Sequence, residues 1–216
     1  MPVLTFSINN FFTIADKLAG MDKDLAMIIR DHSYPPMWQR PNTFETLVHF
    51  ILEQQVSLAS ALAALNKLRE RLLLISVDNI LTLTDEEMRA CYVSRQKMGY
   101  IRGMAKAIAD GSLDLTSLES MDDNEVKAKL VQLKGVGNWT AEVYMMFVLQ
   151  RADIFPVGDI AAVNALKHLK NIEGKPTAEE ILKYTEDWKP HRTIATMILW
   201  HYYLENKLGS KRRKTA

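Results

Sequence analysis

Leu130-Val131-Gln132-Leu133-Lys134-Gly135-Val136-Gly137-Asn138-Trp139-Thr140-Ala141 is the stretch whose reading decides the fold. Val126, Leu130 and Leu133 keep helical spacing and predict a helix that ends at Leu133. Two glycines then break it, and a second helix is predicted to begin near Asn138. Glycine is needed where a chain takes positive φ or approaches a ligand closely. A turn feeding a helix N-terminus presents N–H groups with no intrahelical acceptor, so it can cradle a phosphate without a basic side chain.

The same helical spacing runs outward in both directions. Phe44, Leu47, Val48, Ile51 and Leu52 repeat it upstream, and Ile194, Met197, Ile198, His201 and Tyr202 repeat it downstream. Asn42…Glu45, Thr84…Glu87, Asp122…Glu125 and Thr177…Glu180 each place a short polar cap three residues before an acid that can reach back to it. No alternating β-branched run between hairpin turns is present, and no internal repeat. The chain is read as all-α, with ten or more short helices. Turn signals at Tyr34-Pro35-Pro36, Gly111, Pro156-Val157-Gly158 and Gly174-Lys175-Pro176 resemble tight connections, not a flexible linker.

With 216 residues, 48% hydrophobic and 25% charged, the chain can bury a core without a disulfide or metal staple. Cys91 is its only cysteine, which excludes disulfide frameworks, cysteine-rich zinc sites and four-cysteine iron–sulfur clusters. No stretch has the length and apolarity to cross a membrane, and the N-terminus lacks a signal-peptide pattern, so a cytoplasmic protein is expected. Asn138-Trp139-Thr140 is then a chance match to a glycosylation sequon. Net charge is +1, and Lys211, Arg212, Arg213 and Lys214 leave the rest at about −3. That basic tail after Gly209-Ser210 is read as a solvated, disordered end. Any affinity for nucleic acid must come from a local constellation.

The hairpin stretch resembles the helix-hairpin-helix DNA-binding motif, L-x-G-V-G-x-x-T-A. About twenty residues on comes Phe155-Pro156-Val157-Gly158-Asp159-Ile160-Ala161-Ala162-Val163. Taken alone, Asp159 is a helix N-cap. The pairing of the hairpin with a P-x-G-D turn at this spacing resembles the helix-hairpin-helix DNA glycosylase superfamily. Phe44-Glu45-Thr46-Leu47 … Ile51-Leu52-Glu53-Gln54-Gln55-Val56-Ser57 and Trp188-Lys189-Pro190-His191-Arg192 … Trp200 resemble two segments of its alkylbase (3-methyladenine) branch. The resemblance covers roughly residues 40–205 and implies a compact form lacking the N-terminal sheet domain of some bacterial members. It also implies two packed helical subdomains with the hairpin at their cleft. Residues 1–43 and 152–216 would form one, and 44–151 the other, carrying the hairpin at about 130–150.

By the same resemblance Asp159 is the catalytic carboxylate, beside the sugar of an extruded nucleotide. Trp139, His191, Tyr144 and Trp188 would line the base pocket, with Trp200 open between neighbour and core packing. An electron-rich aromatic pocket suits a cationic alkylated purine. Gln55 would fill the gap left by the flipped base, against the plain reading of an exposed loop residue. Lys134, Gly135, Val136, Gly137 and Thr140 would meet DNA, and the carbonyls of Val131, Leu133 and Val136 would hold a monovalent sodium or potassium ion. Arg192 and Arg102 stay open between phosphate contact and surface ion pairs. Trp139 stands where strand-nicking relatives carry a Schiff-base lysine, so the expected enzyme is monofunctional and leaves an abasic site. The sequence departs from the branch at Val143, where an aromatic would stand, and at His191, in place of tryptophan.

The expected function is hydrolytic excision of alkylated purines from damaged double-stranded DNA in base excision repair, by a monomer with no other cofactor. In a bacterium it would work at the nucleoid, in a eukaryote in the nucleus. The alternatives are a non-catalytic helix-hairpin-helix DNA-binding protein, a glycosylase for uracil or mismatched bases, and an unrelated helical interaction protein.

Overall fold

The computed structural model describes residues 3–212, and the regular structure in them is helical, as the periodicity predicts. In chain order the first six helices are α1 (Ile8–Met21), α2 (Lys23–His32), α3 (Phe44–Glu53), α4 (Leu58–Leu72), α5 (Val77–Thr82) and α6 (Asp85–Ala90). Then follow α7 (Arg95–Ala109), α8 (Asp123–Val131), α9 (Asn138–Phe147), α10 (Ile160–Lys170), α11 (Ala178–Tyr184) and α12 (Arg192–Arg212). Among the described residues there is no strand, only an isolated antiparallel bridge between Thr5 and Arg151.

Three of the four capping boxes form as expected. Thr84, Asp122 and Thr177 each accept from the N–H three residues on, and Glu87, Glu125 and Glu180 each accept from the cap's own N–H. Each cap is worth about 1 kcal/mol to its helix. The fourth is shifted by one residue: α3 is capped by Thr43, whose Oγ1 accepts the Thr46 N–H at 3.3 Å. Asn42 is drawn off by tertiary partners. Its amide donates to the Leu115 carbonyl at 2.9 Å and accepts the Tyr144 hydroxyl at 2.6 Å, while Glu45 pairs with Arg69.

The chain forms two compact units, Met1–Gln39 with Met145–Ala216 and Arg40–Tyr144. These limits differ from the expected 1–43, 44–151 and 152–216. The segment after Tyr144 is tied to the N-terminus by backbone bonds from Phe6 N–H to Gln150 O and from Ala152 N–H to Leu4 O, both 2.9 Å. Both partners are main-chain groups and leave no side-chain pattern to find.

In the middle unit α3 is buried on most of its circumference through Leu47, Val48, Phe50, Ile51 and Leu52, and it packs on α4 and α7. In the terminal unit Ile194, Ala195, Met197, Ile198 and Leu199 bury the first turns of α12 against α2 and α10. Each such aliphatic side chain contributes about 1.5–3 kcal/mol when fully buried. α12 continues through Gly209-Ser210, so Lys211 and Arg212 lie on helical backbone and not on the expected disordered end. Extending a formed helix adds one hydrogen bond per residue fixed. Arg213 and Lys214 lie outside the described residues.

Candidate active site

In the middle unit the hairpin forms, with α8 ending at Val131, two residues before the expected Leu133. The chain leaves the helix early because Leu133 opens a tight turn, its carbonyl accepting the Val136 N–H at 2.9 Å. Gly135 takes φ +95°, and a Cβ there would sit 2.3 Å from Cγ and Cδ2 of Tyr100 on α7. Glycine is therefore demanded twice, by conformation and by close approach. A Cβ on Gly137 would have no atom within 4 Å, and the Gly137 carbonyl starts α9 by accepting the Ala141 N–H at 3.0 Å. The second glycine thus meets no packing demand within the chain.

Of the hairpin residues, Lys134 and Gly137 are exposed, whereas the side chains of Val136 and Thr140 are buried. Their side chains are engaged within the chain, Val136 buried in the turn and Thr140 Oγ1 accepting from Gln54 Nε2 at 3.3 Å, which leaves main-chain groups as what these two residues can offer DNA. Gln54 Nε2 also donates to the Gly135 carbonyl at 2.8 Å. Gln54 thereby fastens the loop after α3 to the hairpin turn, a role the sequence signalled only by its place in the Gln54-Gln55 pair. The end of α3 that leads into that loop is held by Lys97, whose ammonium donates to the Leu52 carbonyl at 2.8 Å. Just past these anchors Gln55 is exposed at φ +57°, a left-handed conformation uncommon outside glycine. Trp139, on the first turn of α9, is partly exposed.

In the terminal unit Asp159 caps α10, and its burial to 9% exposure excludes most water from the carboxylate. Its Oδ1 accepts the Ala162 N–H and the Trp200 indole Nε1–H, each at 2.8 Å. Trp200 meets Trp38 and Phe147 edge-on at centroid distances of 6.0 and 5.5 Å. Of the two alternatives left open for Trp200 the ring shows packing, and its N–H serves the carboxylate.

His191 precedes α12, partly exposed, and its Nδ1 is buried with no hydrogen-bond partner among the described residues. Burial, with help from Lys17 and against Asp153, lowers its pKa, so the ring is neutral at pH 7.

Two expected pocket residues are corrected. Trp188 is 2% exposed, with its Nε1 donating to Asp22 Oδ2 at 2.9 Å and its ring against Phe155. Tyr144 is 1% exposed, packed on Phe50, with burial pushing its phenol above the ordinary value. Both are core side chains. The open question on the arginines resolves to ion pairs: Arg192 grips Asp153 through Nε at 2.7 Å and Nη2 at 2.9 Å, and Arg102 pairs with Asp85.

A family model described as "HhH-GPD superfamily base excision DNA repair protein" matches residues 48–191, a span that holds both the hairpin and Asp159. The chain belongs to the HhH-GPD superfamily. Among HhH-GPD relatives, a Bacillus subtilis protein named DNA-3-methyladenine glycosylase is 28% identical over 207 residues, covering 90% of this chain and 68% of that protein. A crystal structure described as a DNA-3-methyladenine glycosidase from Bacillus halodurans superposes with TM-score 0.77 at 30% identity, covering 94% and 93% of the two chains. A Schizosaccharomyces pombe 3-methyladenine DNA glycosylase, solved in complex with abasic DNA, gives TM-score 0.75 at 27% identity, covering 87% and 95%. Against its Bacillus subtilis relatives the chain spans about two thirds of their length, 64% of one and 68% of the other.

Proposed function

We propose that the chain is a monofunctional DNA glycosylase that takes an alkylated purine of the 3-methyladenine type out of duplex DNA and hydrolyses its N-glycosidic bond. The observation that carries this reading is the buried Asp159 carboxylate, pinned by two donors on one oxygen. Relatives named DNA-3-methyladenine glycosylase support the substrate class, and the relative solved with abasic DNA supports the product.

As the bond from C1′ to the base nitrogen breaks, the sugar gains oxocarbenium character and the bonding pair leaves with the base. Asp159 faces that positive charge with a fixed negative one, in surroundings that need no reorganisation. It also accepts a proton from the water that adds to C1′. A cationic alkylated base departs as a neutral one, so no strong general acid is required. Trp139 and His191 are the remaining pocket candidates, and a neutral His191 avoids repelling a cationic base. The side chain of Gln55 fills the stack, and the amides around Gly135 and Gly137 hold phosphate.

A monovalent cation fits the hairpin. Each carbonyl has two lone pairs, and the Leu133 carbonyl uses only one in accepting the Val136 N–H. Carbonyls of Val131, Leu133 and Val136 would hold the ion, which would supply positive charge towards phosphate. The enzyme acts as a monomer wherever the genome is housed, the cytoplasm of a bacterium or the nucleus of a eukaryote. No helix among the described residues is long and apolar enough to cross a membrane.

A panel of duplexes tests the reading, each holding one lesion among 3-methyladenine, 7-methylguanine, hypoxanthine, ethenoadenine and uracil. Release of free alkylpurine with an alkali-labile strand is expected. Release from the uracil duplex alone would transfer the protein to another substrate class, and no release from any would leave a DNA-binding module.

A further inference from the structure

Beside the hairpin turn, in the middle unit, lies an open recess of about 430 Å³ lined by Arg95, Gln96, Gly99, Tyr100 and Lys134. Two cations and an amide line it, and no carboxylate does. Several other cations are taken up in ion pairs, among them Arg40, Arg69, Arg71, Arg102, Lys127, Lys170 and Arg192. Arg95 and Lys134 have no carboxylate partner among the described residues. Asp85, the acid whose titration Arg95 influences, is taken by Arg102.

The recess is also continuous with the hairpin. Tyr100 forms its wall and packs so closely on Gly135 that no side chain fits between them. Gln96 donates to the Tyr100 hydroxyl one turn along α7, which braces the ring that packs on Gly135. One surface therefore offers the hairpin's amides and, next to them, two unneutralised cations.

We infer that this recess is a second phosphodiester site, in which Arg95 of α7 and Lys134 of the hairpin neutralise a backbone phosphate neighbouring the one held by the hairpin amides. The inference rests on the proposed DNA-glycosylase reading and extends its DNA footprint to α7, where neither the motif nor the family match assigns a contact. It also gives a nearly neutral chain a local cationic foothold on DNA, which bulk charge does not provide.

The experiment measures the Kd of the full chain for an undamaged duplex across a salt series, with Arg95→Ala, Lys134→Ala and the double variant. Each phosphate contact removed lowers the slope of log K against log salt by about 0.9. From 50 to 200 mM salt, each single variant should therefore lose about 3.5-fold less affinity than the wild type does, and the double variant about 12-fold less. Arg89→Ala, an exposed arginine of α6 outside the recess, should leave the slope unchanged. Melting temperatures of all variants are compared, since these exposed side chains can be removed without unfolding.

An unchanged slope for Arg95→Ala, in a protein whose wild type binds duplex and releases alkylated bases, overturns the second site and leaves the glycosylase reading intact. Lowered slopes in a wild type that releases no base uphold the site and overturn the glycosylase. A wild type that binds no duplex overturns both.

Discussion

The indole Nε1–H of Trp200 meets Oδ1 of Asp159 at 2.8 Å, and the same oxygen takes the Ala162 N–H at the same distance. Local geometry supplies one of these bonds and tertiary packing the other, because Trp200 stands 41 residues away in sequence. Trp38 and Phe147, stacked on each other, both meet the indole edge-on, so the N–H is aimed before any substrate arrives. Two donors on a single oxygen restrict the carboxylate to one rotamer, which is the preorganisation that electrostatic stabilisation of a cationic transition state requires.

Trp200→Phe keeps a ring against Trp38 and Phe147 and deletes the donor. Base release under single-turnover conditions should fall about tenfold, or about 1.4 kcal/mol, with DNA affinity unchanged. In an Asp159→Asn background the same exchange should add less than about twofold, because residues that act as one unit are not additive. A full tenfold loss in both backgrounds would show that Trp200 acts other than through Asp159.

The two hairpin glycines should separate stability from binding. Gly135→Ala meets both the positive φ and the Tyr100 ring. It should cost about 2 kcal/mol or more, lowering Tm by roughly 4–8 °C. At Gly137 an added Cβ meets nothing within 4 Å, so Gly137→Val starts from open space in the free chain. Its Tm should stay within about 2 °C of wild type, while affinity falls alike for every duplex sequence, as phosphate contacts carry no base information. Equal Tm losses in the two variants, or intact DNA binding by Gly137→Val, would contradict the account of the turn.

Trp188→Phe discriminates a core indole from a pocket indole. The variant loses the bond to Asp22, about 1.5–3 kcal/mol for a hydrogen bond to a charged group, and Tm should fall by roughly 3–12 °C. Base release below that lower Tm should match wild type. A selective loss of release without a change in Tm would return Trp188 to the pocket.

Stability should fall as pH drops below neutrality. Burial lowers the pKa of His191, with Lys17 acting the same way and Asp153 opposing. Burial also lowers that of His49, with Arg40 and Arg69 acting the same way and Glu53 and Glu45 opposing. Both imidazoles are neutral in both states above about pH 6.5, where their contribution is fully present. Below it the unfolded chain binds protons first, so stability declines until the depressed native values are reached. A Tm series from pH 7.5 to 5 should show that decline, and His191→Gln should flatten part of it. An identical slope in the variant would remove His191 from the explanation.

What could be read from the sequence is what neighbouring residues encode. The capping boxes at Thr84, Asp122 and Thr177, the hairpin between α8 and α9, and the cap at Asp159 each depend on residues three or four apart. Errors came where a distant partner decides. Asn42 carries a good cap side chain, yet Tyr144, 102 residues on, claims it. Trp188 stands in an aromatic-rich segment, but Asp22, 166 residues before it, holds it in the core. The bond from Trp200 to Asp159 and the anchoring of Gln54 on Gly135 were hidden for the same reason. Helical spacing shows which face is buried but not which polar atom it meets.

The most direct measurement is single-turnover release of 3-methyladenine from a duplex by the wild type and by Asp159→Asn, with borohydride added in parallel. Wild type should release the free base, leave an alkali-labile strand and give no trapped adduct, since Trp139 occupies the position of a Schiff-base lysine. Asp159→Asn should bind the duplex within about twofold of wild type and release the base 10²–10³-fold more slowly, about 3–4 kcal/mol of lost transition-state stabilisation. Release by Asp159→Asn at the wild-type rate, or a covalent complex trapped from the wild type, would contradict it.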